Sequence, residues 1–176
     1  MTDSGKRIIG LIWAEDRHRT IGLDGGIPWT VPEHFKHFDE VTGGRPIIMG
    51  HHTWKSLPDE VRPIPNRRNI VITHTPDWSG DSVMTAGTLE EALALTDPEE
   101  TWVIGGGETL SEAMPFATVL AVTEISSDID GDTLAPDIPV KDFMLAYTSG
   151  PHESDESGLT YEFRGYVRRD QAGDPQ

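Results

Sequence analysis

Apolar residues in this chain come in short runs of strand length, separated by segments whose apolar positions recur at helical spacing. Arg7–Ala14 (RIIGLIWA) reads as a buried strand, and Glu15–Trp29 as a glycine-rich loop. Pro32–Thr42 reads as a helix, with Pro in its first turn, Glu33 near its N-terminus and Gly43-Gly44 as its stop. His34, Phe35, Phe38 and Val41 or Thr42 share one face of it, and Lys36 and Glu40 are spaced to pair on the other. A short buried strand at Pro46–Met49 leads into a short helix at His52–Leu57. Strands follow at Asn69–His74 and, more weakly, Ser82–Thr85. Thr88–Leu95 reads as a helix opened by a capping box of Thr88 and Glu91. Thr101–Ile104 is a strand running into Gly105-Gly106-Gly107, and Glu108–Met114 a helix stopped by Pro115. Ala117–Ile125 is a further strand, and Lys141–Gly150 with Leu159–Arg168 read as a closing antiparallel pair. This alternation predicts an α/β architecture, with a central mostly parallel sheet of eight strands, an antiparallel C-terminal edge and four flanking helices.

Length and charge narrow the picture. The 176 residues suit one domain, expected over residues 1–170, with a polar tail at 171–176. The absence of cysteine excludes disulfides, thiol nucleophiles and Cys-ligated metals. No apolar run approaches the ~20 residues of a membrane span, and nothing near the N-terminus reads as a signal peptide, so a cytoplasmic protein is expected. Thirty Asp and Glu against fourteen Lys and Arg give a net charge of −16. From Asn69 to Val140 there are fourteen acidic residues and no Lys or Arg, whereas five basic residues fall between Arg45 and Arg68. Such a balance disfavours nucleic acid as a partner but allows a small anionic ligand near the basic stretch. The acidity also reads as a solvation adaptation, for example to a salty cytoplasm.

Four segments carry candidate chemistry. The glycine turn Gly105–Gly107 feeds a helix N-terminus, an arrangement that suits a phosphate, although a tight packing turn has the same pattern. It lacks the Lys-Ser/Thr of a P-loop and does not match G-x-G-x-x-G. A second strand–Gly–helix unit at Met49–Trp54 holds His51 and His52. Neighbours on a helix point about 100° apart and rarely chelate one ion, so no metal site is expected. His34 starts the Pro32–Thr42 helix, where a hydrogen-bonded structural imidazole is the plainer reading. Arg67 and Arg68 follow the rigid turn Pro63-Ile64-Pro65-Asn66, which can hold a guanidinium for a carboxylate or simply leave a solvated pair.

Seven collinear stretches together resemble dihydrofolate reductase, and most of all its actinobacterial branch. They are GLIWA (Gly10–Ala14), Ile21-Gly22 with Ile27-Pro28-Trp29, IIMGHHTW (Ile47–Trp54), RPIPNRRN (Arg62–Asn69), TWVIGGG (Thr101–Gly107), VTE (Val122–Glu124) and GDT (Gly131–Thr133). The resemblance spans about Ile8 to Arg168 and implies a single-domain dihydrofolate-reductase-like fold. It implies NADPH as cofactor and a small-molecule substrate, dihydrofolate or a related pterin, reduced by hydride transfer to a pterin C=N. Ile12, Ala14 and Ile104 would line the pterin side, with Thr123 hydrogen-bonding toward it and Trp29 binding a water near the reacting face. Phe35 and Phe38 would flank the pterin and benzoyl rings, Leu57 and Ile64 would complete the benzoyl pocket, and Arg67 would grip the glutamate α-carboxylate. Ala14, at the end of the first strand, and Ile21, Gly22 and Ile27, in the lid loop Glu15–Trp29, would meet the cofactor, with the lid braced by the loop of Asp132. The cofactor's pyrophosphate would fall to Gly105, Gly106 and the following helix start at Gly107, Glu108 and Thr109, where the Glu108 carboxylate is unhelpful unless it points outward. The other phosphate-binding helix would start at Gly50, His52 and Thr53, with His51 on the 2′-phosphate side. Thr73 and His74 would also lie at the cofactor, and Leu110 would pack by the nicotinamide. The Gly105–Gly106 bond would be cis.

The departures from the family pattern fall at informative positions. The carboxylate that the resemblance implies in the pterin site is replaced by His34. Glu33, about 100° round the helix from it, is a second catalytic candidate that can supply the carboxylate only if the helix start rotates or shifts by one residue. A carboxylate there accepts from the pterin ring N–H and amino group together, whereas a neutral imidazole offers one acceptor and an imidazolium none. His51 stands where the family usually has Arg, Leu110 where it commonly has Tyr, and Thr73-His74 where it has Ser. Together His51 and His74 could replace the lost cation, with cofactor affinity that falls as pH rises. Three readings follow: a dihydrofolate reductase with weakened or altered proton donation, a reductase of the same fold acting on another pterin or a pyrimidine, and a non-catalytic folate or NADPH binder. A monomer is expected, with weakened binding of diaminopyrimidine antifolates.

Overall fold

Alternate residues of the central strands are apolar on both faces, and the fold buries both. The computed structural model describes residues 7–22, 32–75, 78, 80, 83–128 and 131–169. The elements run β1 (Ile9–Glu15), β2 (Thr20–Gly22), α1 (Pro32–Thr42), β3 (Ile47–Gly50), α2 (His51–Ser56), β4 (Asn69–Ile72), β5 (Met84–Ala86), α3 (Leu89–Thr96), β6 (Thr101–Gly105), α4 (Gly107–Ala113), β7 (Val119–Ile125), β8 (Thr133–Leu134), β9 (Phe143–Glu153) and β10 (Thr160–Arg168). One sheet of eight strands has the order β5-β4-β3-β6-β1-β7-β10-β9. Pairing is parallel from β5 through β7, and β10 runs antiparallel to both β7 and β9. The mostly parallel sheet with an antiparallel C-terminal edge is as the alternation predicted.

Period-two alternation sorts the core into two layers. Leu11, Trp13, Ile48, Ile70, Val103 and Val122 pack under α3 and α4, against Leu89, Leu93, Leu110 and Met114. Ile12, Ile47, Met49, Val71 and Trp102 face the opposite way, toward Trp54 of α2 and Phe38 and Val41 of α1. A side chain at Gly10 would put its Cβ 2.4 Å from the Trp102 ring, so glycine there lets the indole lie across β1.

Several predicted details are corrected. The Glu15–Trp29 loop contains β2, which pairs antiparallel with β8 in a two-stranded sheet. Two- and three-residue strands leave no periodicity to read. The last hairpin is shifted, β9 beginning at Phe143 rather than Lys141 and extending to Glu153. The helix at Glu108–Met114 begins one residue earlier, and Pro115 tightens its end into a 3-10 turn at Met114–Phe116. Lys36 and Glu40 are both exposed and form no ion pair among the described residues. Thr88 does cap α3, its hydroxyl accepting from the Glu91 N–H at 3.1 Å. The Glu91 carboxylate takes the N–H of Gly87, one residue before the cap, at 2.9 Å. Among the described residues no helix is long and apolar enough to cross a membrane.

Candidate active site

The carboxyl ends of β1 and β6 and the short helix that follows β3 open into a cleft of about 380 Å³. Crevices at this end of a parallel sheet receive loop and helix termini, whose unpaired backbone groups suit ligands. Ile12 and Ala14 of β1, Ile104 and Gly105 of β6, and Leu110 of α4 form its floor. Phe35 and Phe38 of α1 close one side, with Leu57 and Ile64 opposite. Phe35 is 56% exposed, so it stands at the mouth and not in the core stripe that its spacing predicted.

Two glycine-led helices meet on the other side. Gly50 precedes α2 and Gly106 precedes α4, and neither cap receives a side-chain hydrogen bond. Register brings them together, because Met49 pairs with Gly105 across β3 and β6. The helix ends interlock: a Cβ at Gly50 would lie 3.0 Å from Thr109 Oγ1, and one at Gly106 would lie 3.3 Å from Thr53 Oγ1. Gly105 has φ of +146°, a conformation that suits glycine, and its bond to Gly106 is cis. The N–H groups at both helix starts, which no side chain caps among the described residues, lie beside the Thr53 and Thr109 hydroxyls and fit a phosphate-bearing group. Glu108 is exposed, and a Cβ at Gly107 would lie 2.8 Å from the Leu134 carbonyl, so this turn packs against β8. His52 and Thr53 line the cleft. His51 Nδ1 lies 2.9 Å from the Thr73 hydroxyl, and its ring packs on Trp78 at 4.3 Å. His74 is exposed at the end of the strand that Thr73 follows.

His34 enters the cleft from the first turn of α1. It is only 9% exposed, and Nδ1 lies 3.1 Å from Thr123 Oγ1 on β7. Burial, helped by His37, pushes its pKa down to about 4, so the ring is neutral at physiological pH. With Nδ1–H donated to the Thr123 hydroxyl, Nε2 is left as a single acceptor. Glu33 turns elsewhere: its carboxylate accepts from Ser154 Oγ at 2.9 Å and from the Asp155 N–H at 3.0 Å, in the loop between β9 and β10. Those hydrogen bonds lower its pKa. Arg67 does not line the cleft but lies behind Phe38, its guanidinium 5.7 Å from that ring. Ile21 of β2 lines the cleft, whereas Ile27 and Trp29 lie outside the described residues. Gly22 ends β2, where it pairs with Thr133.

Sequence reasoning missed Trp13, Ser56 and Thr133 as cleft residues, and gave Asp132 only a bracing role. Trp13 reads as core because it belongs to the α3–α4 layer, yet it also lines the cleft, and its Nε1 donates to Glu15 Oε1 at 2.7 Å.

Known proteins are similar to this chain over nearly its whole length. The dihydrofolate reductase family model matches residues 8–168. The dihydrofolate reductase of Mycobacterium tuberculosis is 44% identical over 164 residues, covering 92% of this chain and 98% of its own. That of Mycobacterium leprae is 41% identical over 165 residues, with the same coverage. Among solved structures, the dihydrofolate reductase from Enterococcus faecalis complexed with NADP(H) and RAB-propyl superposes with a TM-score of 0.85 at 31% identity, covering 94% of this chain and 98% of that one. With family match, sequence identity and superposed fold all running over nearly the whole length, the chain belongs to the dihydrofolate reductase family.

Proposed function

We infer that the protein carries out its family's reaction, the NADPH-dependent reduction of 7,8-dihydrofolate to 5,6,7,8-tetrahydrofolate, with a neutral imidazole at His34 where the resemblance implies a carboxylate. The observation that carries this reading is the meeting of two half-sites in one cleft: an aromatic slot ending at the His34–Thr123 pair, and the paired glycine-led ends of α2 and α4. When bound, the reduced nicotinamide supplies the hydride. The chain's own residues bind, orient and exclude water. Gly50, Thr53, Gly106 and Thr109 receive the cofactor's phosphates, with His51 and His74 as the titratable groups nearby. Phe35, Phe38, Leu57 and Ile64 hold the substrate's rings, and Ile12, Ala14 and Ile104 back the pterin. His34 Nε2 accepts one hydrogen bond from the pterin edge, oriented by Thr123.

Losing a buried charge-assisted pair typically costs about 2–5 kcal/mol. Turnover is therefore slower than a carboxylate at this position would give, and the ring nitrogen draws its proton from solvent. Glu33 is a poor substitute because Ser154 and Asp155 hold its carboxylate. NADPH consumption with 7,8-dihydrofolate, wild type beside His34→Asp, tests the reading. Turnover in the wild type that rises in the variant by ten-fold or more, about 1.4 kcal/mol, is expected. Trimethoprim, whose protonated ring seeks an anion, should bind the variant far more tightly than the wild type. Wild-type turnover unaffected by the substitution, with tight trimethoprim binding, would return the role to Glu33. Wild type inert toward dihydrofolate would favour another heterocycle, a reading that the engagement of Arg67 by Asp39 also supports. The reading carries a monomer of one domain and a cytoplasmic location, where the reduced nucleotide it uses is available.

A further inference from the structure

The Arg67 guanidinium already has a carboxylate. Its side chain is 6% exposed, whereas that of Asp39 beside it is 64% exposed. Nε donates to the Pro65 carbonyl at 2.9 Å, Nη1 to Thr42 Oγ1 at 2.7 Å and Nη2 to Asp39 Oδ1 at 2.9 Å. Thr42 donates onward to the Phe38 carbonyl at 2.8 Å, so α1 supplies Phe38, Asp39 and Thr42 as three sides of one socket. Phe38 and Ile64 also line the cleft, which puts this socket directly behind its outer wall. The other arginines of the basic stretch are committed too: Arg45 to Glu100, Arg62 to Asp59 and Arg68 to Glu99. None of the four arginines between residues 45 and 68 lacks a carboxylate partner.

An anionic ligand approaching Arg67 therefore meets a neutralised pair and not a cation. To gain a paired hydrogen bond it must displace a carboxylate fixed to the same helix, a competitor that never diffuses away. Its charge also repels the newcomer over the few ångströms between them. We propose that Asp39 is a specificity-determining residue, which competes with a substrate's carboxylate tail for Arg67 and so weakens selection for tailed over tail-less pterins. The proposal rests on the reading of the reaction given above.

Steady-state reduction of 7,8-dihydrofolate and of 6-methyl-7,8-dihydropterin, which has no tail, separates the two. Asp39→Asn keeps the shape and removes the charge. It should lower KM for dihydrofolate about fivefold, the scale of one partly exposed ion pair, and leave the ratio of kcat values for the two pterins unchanged. Asp39→Ala should move KM in the same direction, which guards against a defect peculiar to one variant. An unchanged or higher KM for dihydrofolate in both variants would overturn the proposal and make Asp39 only a positioning residue for Arg67. Equal changes for the two pterins would overturn it as well, because the tail would then play no part. Wild type that turns over neither pterin would instead overturn the reading of the reaction, and the proposal with it.

Discussion

Burial holds the His34 imidazole at a pKa of about 4, against 6.5 for an ordinary histidine. Between these values the unfolded chain binds a proton that the native protein refuses. Stability through this group is therefore complete above the unfolded pKa and falls as pH drops toward the folded one. The loss between pH 7 and pH 5 is about 2 kcal/mol. Urea unfolding at the two pH values should show wild type losing that much more than His34→Asn, in which no ring titrates. His37, whose pKa burial also lowers, remains in both proteins and cancels from the difference. Equal losses would mean that the imidazole is not held neutral in the native state. His34 was legible as a site residue from its place in the motif, but its partner was not. Thr123 reaches it from β7, eighty-nine residues away, and Glu33 is tied down by a loop still farther along the chain. Hydrogen bonds of that range leave no local pattern.

At the scale of elements, the sequence is most readable where one face repeats. The central strands of the parallel region lie on the apolar runs that predicted them, although β4 ends at Ile72 rather than His74 and β5 lies at Met84–Ala86 rather than Ser82–Thr85. Thr88 caps α3 as its capping chemistry predicted. The β2–β8 pair escapes because its strands are too short to repeat anything, although it closes over the cleft through Ile21 and Thr133. The joining of α2 and α4 is a tertiary fact of the same kind: each Gly-led end is visible alone, and only the β3–β6 register makes them one cradle. This cradle yields a prediction about its titratable member. Burial, and secondarily Lys55, lower the His51 pKa in the free protein. A bound phosphate dianion favours the imidazolium and raises it. Binding is then strongest below the free pKa and weakens until the pH passes the bound one. NADPH affinity by fluorescence titration should fall from pH 6 to pH 8, less steeply in His51→Ala. An affinity that does not change with pH would remove the histidines from phosphate recognition.

The whole molecule carries a charge of −16, and its distribution matters more than its size. The stretch from Asn69 to Val140 has fourteen carboxylates and no basic side chain, so it must borrow cations from elsewhere. It does so through Arg7 to Asp97, Arg68 to Glu99, Arg45 to Glu100 and Arg17 to Asp128. Arg45 and Arg68 of the basic stretch are committed in this way, and Arg62 and Arg67 pair with Asp59 and Asp39, so four of its five cations face a carboxylate. The remaining carboxylates repel one another in the folded state more than in the expanded chain. Salt screens that repulsion, shrinking the Debye length from about 10 Å at 0.1 M to about 3 Å at 1 M. Screening also weakens the exposed ion pairs, but each of those is worth only about 0–1 kcal/mol, and carboxylates outnumber basic groups by about two to one. Relief of repulsion thus exceeds the loss of pairing, and the melting temperature should rise as NaCl is raised from about 0.05 M to about 1 M. Chloride is the right counterion for this test, because sulfate stabilises proteins by exclusion from their surface whatever their charge. A melting temperature that stays level or falls over this range would mean that the ion pairs outweigh the repulsion, and that the acidic surface is no adaptation to a salty interior.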